Sequence, residues 1–207
     1  MYQPAHFRED RLEILHTLIQ AHPLGALVTH SANGLEANHV PVALHQNDTL
    51  GVLRCHLARA NTQWRSIESG GDVLIIFQGP EAYISPSWYP TKAETGKVVP
   101  TWNYVVVHVH GTARTIHEPT WLYEHVSTLS DTNEAGFPAP WSVTDAPADF
   151  VDSLLKAIVG VEIQITRIEG KWKMSQNRAE NDRQGVAGGL RNLTTDTALL
   201  TADLVAR

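Results

Sequence analysis

With 207 residues, 43% of them hydrophobic and 18% charged, the chain has the composition of a folded globular protein of one large or two small domains, which excludes a disordered one. Its 22 acidic against 16 basic side chains give a net charge of −6. No basic run and no helix-turn-helix or zinc-finger spacing is present, so direct DNA binding has no support in the residues.

The N-terminal MYQPAHFRED lacks a basic start followed by an apolar block, and no apolar run approaches the roughly 18 residues of a membrane helix. A cytoplasmic protein is the expectation. Residues 8 to 21 place Leu12, Leu15, Leu18 and Ile19 at helical spacing, and Pro23 ends that helix. Leu24 to Thr29 is a short apolar strand. Ser31-Ala32-Asn33-Gly34 is a hairpin turn, because Asn-Gly tolerates the positive φ of a tight turn. A strand returns over Leu35 to Leu44, and Gln46-Asn47-Asp48 turns into a third strand, Thr49 to His56. The lone cysteine, Cys55, lies there between Leu53 and Leu57 and reads as a small apolar core residue; a disulfide framework and a cysteine-based zinc site are excluded.

Asn61 to Ser69 has helix character, capped by Asn61 or Thr62. Asp72 to Phe77 is the fourth strand, resuming over Ala82 to Ile84 after a bend at Gly79-Pro80. Pro86 to Trp102 then shows no periodicity, yet holds two Trp, one Tyr, three Pro and two Lys. A connection of that length with that aromatic content suits a binding surface better than disorder.

Tyr104 to Ile116 is the fifth strand, rich in β-branched residues. Glu118-Pro119 opens a helix to about Leu129, residues 130 to 147 form an acidic, Pro-rich connection, and Ala148 to Ile158 is a short helix. Val161 to Met174 is a sixth strand with a turn at Glu169-Gly170. Residues 179 to 190 and 195 to 205 are weaker helices, the first softened by Gly185, Gly188 and Gly189. Six hairpin-linked strands with helices after the third and fifth predict a mainly β antiparallel barrel with helical decoration.

Three groups of residues carry the candidate chemistry. His56, Arg59 and Asn61 lie where a strand gives way to a helix, a place where free N–H groups and the helix dipole favour a phosphate and where Arg59 adds a guanidinium fork. The alternative is an Asn61 cap, a solvated Arg59 and a packed His56. Trp88 and Tyr89 precede the fifth strand, and Thr101, Trp102 and Asn103 open it. Aromatic walls with Asn and Thr at one edge suit a flat heterocycle, or else they plug a barrel mouth or a dimer seam. Lys173, Ser175 and Gln176 end the sixth strand, where they grip an anion or simply meet solvent; alternation puts Lys171, Lys173 and Ser175 on one face. His108 and His110 flank Val109 with the spacing of a chelating pair, but no third ligand has diagnostic spacing. No nucleophile elbow, P-loop or dinucleotide fingerprint is present.

Two of these stretches carry a resemblance. Tyr83-Ile84-Ser85-Pro86-Ser87-Trp88-Tyr89 and Val99-Pro100-Thr101-Trp102-Asn103-Tyr104 resemble the signature of the PaiB family, described as FMN-binding negative transcriptional regulators. Met1 to Phe7, His56-Leu57-Ala58-Arg59-Ala60-Asn61 and Lys171 to Arg178 agree with it in the family's order. The resemblance implies a six-stranded FMN-binding split barrel over residues 1–191, a helical tail over 192–207, and a homodimer with FMN between subunits. It implies that the FMN phosphate sits at His56, Arg59 and Asn61, and that the protein acts in negative regulation by sensing a flavin or metabolite state. A flavin-dependent oxidoreductase and a haem- or metal-binding protein are the two rival readings.

Overall fold

The computed structural model describes residues 1–46, 49–68 and 71–206. The expected turn at Gln46-Asn47-Asp48 and the end of the helix at Ser69 fall on or beside the residues outside that set. Two compact units emerge. One comprises Met1–Leu18, Phe77–His108 and Glu169–Arg207; the other comprises Ile19–Ile76 and Val109–Ile168.

The second unit contains β2 (Leu24–Ser31), β3 (Gly34–Pro41), β4 (Ala43–His45) and β5 (Val52–Ala58). It also contains parts of β6 (Asp72–Ile84), β7 (Thr101–Ile116) and β8 (Ile158–Lys173). The strand order is β3-β2-β6-β7-β8-β5-β4. β2 and β3 form the expected hairpin, Ser31 opposite Gly34, with Gly34 at φ +102° where a side chain would be strained. Leu27, Leu53, Cys55, Ile75, Val109 and Ile163 fill the core of this unit. Helices α2 (Gln63–Glu68), α4 (Pro119–Glu134) and α5 (Ala148–Lys156) complete it.

The first unit holds β1 (Arg8–Glu9), paired with Lys171 and Gly170 of β8. Helix α1 (Leu12–Ala21) begins in it. Its remaining helices are α3 (Thr91–Thr95), α6 (Glu180–Arg191) and α7 (Asp196–Ala206). Phe77, Ile84, Val105, Met174, Leu190 and Val205 form its core.

The mainly β antiparallel architecture with helices stands, but the expected six strands are eight among the described residues, and the sheet does not close into a barrel. Among the described residues the strand order ends at β3 and β4, with no pairing that joins those ends. Two causes account for the extra strands. Residues 8 and 9 pair as β1 where helical periodicity seemed to begin, and the run 35–44 divides at Val42, whose N–H turns to Pro23 O at 2.9 Å. Neither Gly79-Pro80 nor Glu169-Gly170 interrupts its strand: β6 and β8 run through both.

The stretch from Pro86 to Trp102 is also more ordered than its composition indicates. Ser85 Oγ accepts from Ser87 N at 3.2 Å to cap a 3-10 turn over Pro86–Trp88. Gly96, at φ +65°, closes α3 by donating to Lys92 O. Thr91 N–H donates to the buried Asp182 carboxylate at 3.1 Å, tying this stretch to α6.

Candidate functional site

Alternation along β5 sends Leu53, Cys55 and Leu57 into the core and leaves Arg54 and His56 on the other face. Burial pushes the Cys55 thiol up to about 12, so it stays protonated and unreactive. Beyond the strand, Asn61 N–H donates to Ala58 O at 2.8 Å, and Asn61 Oδ1 accepts from Gln63 N at 3.0 Å. Asn61 therefore caps α2.

Arg59 is held from three sides. Nε donates to Lys156 O at 2.8 Å, Nη2 donates to Ile158 O at 2.7 Å, and Nη1 lies 3.3 Å from His117 Nδ1. A guanidinium has five N–H donors, so one N–H on each terminal nitrogen remains. The side chain lines a cavity of about 420 Å³ with His117, Lys156, Asp152 and Leu122. A fixed cationic fork with spare donors, beside a lysine and a histidine, can meet an anion, against the opposing Asp152 carboxylate in the same lining.

His56 faces elsewhere. Its Nδ1 lies 3.1 Å from Nε2 of His125 on α4, which is 2% exposed. His125 stacks on Trp121 with centroids 5.3 Å apart and planes 22° apart. Trp121 lies against Gly160, the residue opposite His56 on β8, and a Cβ there would collide with the indole. Burial, with His56, His45 and Arg54 adding to it, holds His125 down at about 4; burial lowers His56 as well. On the same face Arg54 Nε donates to Glu162 at 2.9 Å and Arg114 Nη2 donates to it at 2.6 Å. Burial pushes the Glu162 carboxyl up, but the two guanidiniums together hold it below the usual range.

The residues expected from the other stretches lie in the first unit. Asn103 and Ser175 are both buried and satisfy each other, Nδ2 donating to Ser175 Oγ at 3.0 Å and Ser175 Oγ donating to Oδ1 at 3.2 Å. Ser175 adopts φ +63°, a strained conformation for a side-chain-bearing residue. Lys173 Nζ donates to Thr101 Oγ1 and to Trp102 O, the latter at 2.9 Å. Burial holds its ammonium below the ordinary lysine range, and Lys171 and Arg178 add to that against the pull of Tyr104. Thr101, Asn103, Lys173 and Ser175 share a hollow of about 110 Å³ with Asn177 and Arg178. That volume is well below the roughly 300 Å³ at which pockets for drug-sized ligands begin.

Gln176 braces its own turn, accepting from Met174 N at 2.7 Å and donating to Trp172 O at 2.6 Å. Trp88 is half-buried against α6, and a Cβ at Gly189 would enter its ring. Tyr89 is buried beneath Arg178, whose guanidinium lies 5.0 Å from the ring centroid. Trp102 is exposed and meets Tyr83 edge-on at 5.9 Å.

The structure thus joins Thr101 to Lys173 and Asn103 to Ser175, and places Arg59 and His56 on different cavities. The partners His117, His125, Trp121 and Lys156 carry no sequence signal for their roles, because they reach Arg59 and His56 only through tertiary packing. Among the described residues no group of three or more His, Cys, Asp or Glu is placed to hold a metal ion, and no helix is long and apolar enough to cross a membrane.

The fold has solved counterparts named as flavin proteins. The FAD- and haem-binding protein of Mycobacterium smegmatis superposes with a TM-score of 0.60 at 13% identity, over 80% of this chain and 73% of that one, a likeness of fold. The sequence defines the family. Residues 1–167 match the family model described as "Putative FMN-binding domain". The protease synthase and sporulation protein PAI 2 of Bacillus subtilis is 34% identical over 99% of this chain and 96% of its own. An uncharacterized protein of Emericella nidulans is 36% identical with the same coverage. The chain belongs to this FMN-binding domain family, of the PaiB type.

Proposed function

We propose that the protein binds FMN and acts as a cytoplasmic, homodimeric regulator of the PaiB type, answering to flavin or metabolite state. The carrying observation is Arg59, fixed by two backbone carbonyls with N–H groups to spare on a cavity of about 420 Å³ that also presents His117 and Lys156. That arrangement suits a phosphate dianion, which Arg59 with His117 would hold. Asn61 then acts as the helix cap beside the site, and His56 has a separate role. Bound FMN would supply the redox chemistry, and the protein supplies binding and orientation.

Regulation is proposed to run through partners or flavin occupancy, since 22 acids against 16 bases leave little to hold a DNA backbone. Two experiments bear on this reading. Protein purified from cells and denatured should release FMN, identified by mass and absorbance; protein that neither carries nor takes up flavin would refute the proposal. Sustained turnover of a reduced nicotinamide cofactor by the FMN-loaded protein would instead make it an oxidoreductase.

A further inference from the structure

A second cavity of about 420 Å³ lies in the unit that carries β5 and α4. Val126, Val143 and Ile158 line it, and Trp141, Phe150 and Leu154 form an apolar rim, each of these three about half exposed. None of its lining residues carries a formal charge, and the Ser130 hydroxyl, the His56 ring and the Trp141 indole N–H are the polar side-chain groups among them. Ala58 and Ala157 also line it, but Arg59 does not; Arg59 serves the other cavity.

The state of the His56 ring follows from what stands behind it. His125 Nδ1 is buried with no hydrogen-bond partner among the described residues. An orphaned buried N–H is rarer and costlier than an orphaned lone pair. The His125 proton therefore sits on Nε2, which donates to His56 Nδ1 across 3.1 Å. A neutral His56 must then carry its own proton on Nε2, the ring nitrogen that meets no hydrogen-bond partner among the described residues. The stack of His125 on Trp121, and of Trp121 on Gly160, fixes the orientation of that donor.

A fixed imidazole N–H donor in an uncharged, mostly apolar cavity favours a ligand that offers it an acceptor and carries no charge. A carboxylate would lose its hydration with no cation to replace it. At His56 an amine or alcohol donor would meet an N–H where it needs a lone pair. We propose that this cavity is a second ligand site, which takes a neutral, predominantly apolar carbonyl compound of aryl-ketone or quinone size, its oxygen accepting a hydrogen bond from His56 Nε2. The volume is in the range of small-molecule pockets, and Trp141 and Phe150 provide faces for an aromatic ring.

Three naphthalenes of one shape separate the terms: 2-acetylnaphthalene, 2-ethylnaphthalene and 2-naphthoate, each titrated into the full chain and followed by methyl NMR. The ketone is expected to shift the signals of Val126, Val143 and Leu154, and to bind roughly tenfold more tightly than the hydrocarbon or the carboxylate. In His56→Phe the ketone should fall to the level of the hydrocarbon. Leu154→Trp should close the cavity to all three, and Val126→Phe serves the same purpose should the first variant not fold. FMN added to the ketone-loaded protein should leave those methyl signals in place. Equal affinities for the three probes, a preference that survives in His56→Phe, shifts confined to other residues, or displacement of the ketone by FMN would each overturn the assignment. The FMN reading rests on Arg59, so it can fail while this one succeeds, and the reverse.

Discussion

A histidine 2% exposed between Trp121 and His56 ties the stability of the fold to pH. His125 titrates at about 4 in the fold, against about 6.5 in an unfolded chain. The unfolded state therefore binds the proton first as pH falls. The full contribution is present above about pH 6.5 and is lost progressively down to about pH 4, at about 1.4 kcal/mol per pH unit, for about 3 kcal/mol in all. His45 and His56, both lowered by burial, act in the same direction. Urea denaturation at pH 7, 6, 5 and 4 should show this fall, and His125→Phe, which keeps a ring against Trp121, should flatten it. An equally steep fall in that variant would assign the effect to other groups.

At the scale of elements, the glycines of α6 have a role that composition conceals. In the sequence, Gly185, Gly188 and Gly189 read as weak points of a helix. In the structure, Gly185 and Gly189 give Trp88 its seat: a Cβ at Gly185 would strike the Trp88 carbonyl, and one at Gly189 its ring. Gly189→Ala should therefore destabilise by about 1–3 kcal/mol through overpacking, despite alanine's better helix propensity. Gly188 has open space around it, and Gly188→Ala should be neutral or stabilising by up to about 1 kcal/mol. Thermal melts of the two variants give the comparison, and equal shifts would remove the seat from the account.

The same contrast shows what the sequence makes legible. A short apolar run locates β2, β-branched richness locates β7, and Asn33-Gly34 locates the β2–β3 hairpin, because those signals are local. The role of Trp88 and the pairing of Arg8 and Glu9 with β8 depend on residues about 100 and 160 positions away, which no local pattern encodes. Among site residues, Arg59 is visible as a cation at a strand-to-helix turn. Its carbonyl anchors at Lys156 and Ile158, and the dyad of His56 with His125, arise only when the chain is folded.

For the whole molecule, the expected association is a homodimer. The first unit exposes Tyr83, Val99 and Trp102, large apolar side chains of the kind an isolated chain seldom leaves in water as a patch. Light scattering at micromolar concentration should return twice the 22.9 kDa chain mass; a mass near 22.9 kDa would refute the dimer. Partner-free protein should give no footprint on a defined operator at physiological salt, and a clear footprint would contradict the regulatory route proposed here.

The central claim is that Arg59 holds the phosphate of bound FMN. Fluorescence titration of FMN and riboflavin against wild type, Arg59→Ala and the exposed-residue variant Arg191→Ala tests it most directly. Losing the guanidinium beside a partly buried phosphate should cost about 2–5 kcal/mol, or roughly 30-fold to several-thousand-fold in affinity. Riboflavin, lacking the phosphate, should bind the wild type weakly and be nearly indifferent to Arg59→Ala, and Arg191→Ala should leave both ligands unchanged. Equal loss of FMN and riboflavin affinity in Arg59→Ala would mean that the residue acts by holding the Lys156 and Ile158 carbonyls rather than the phosphate, and would contradict the account.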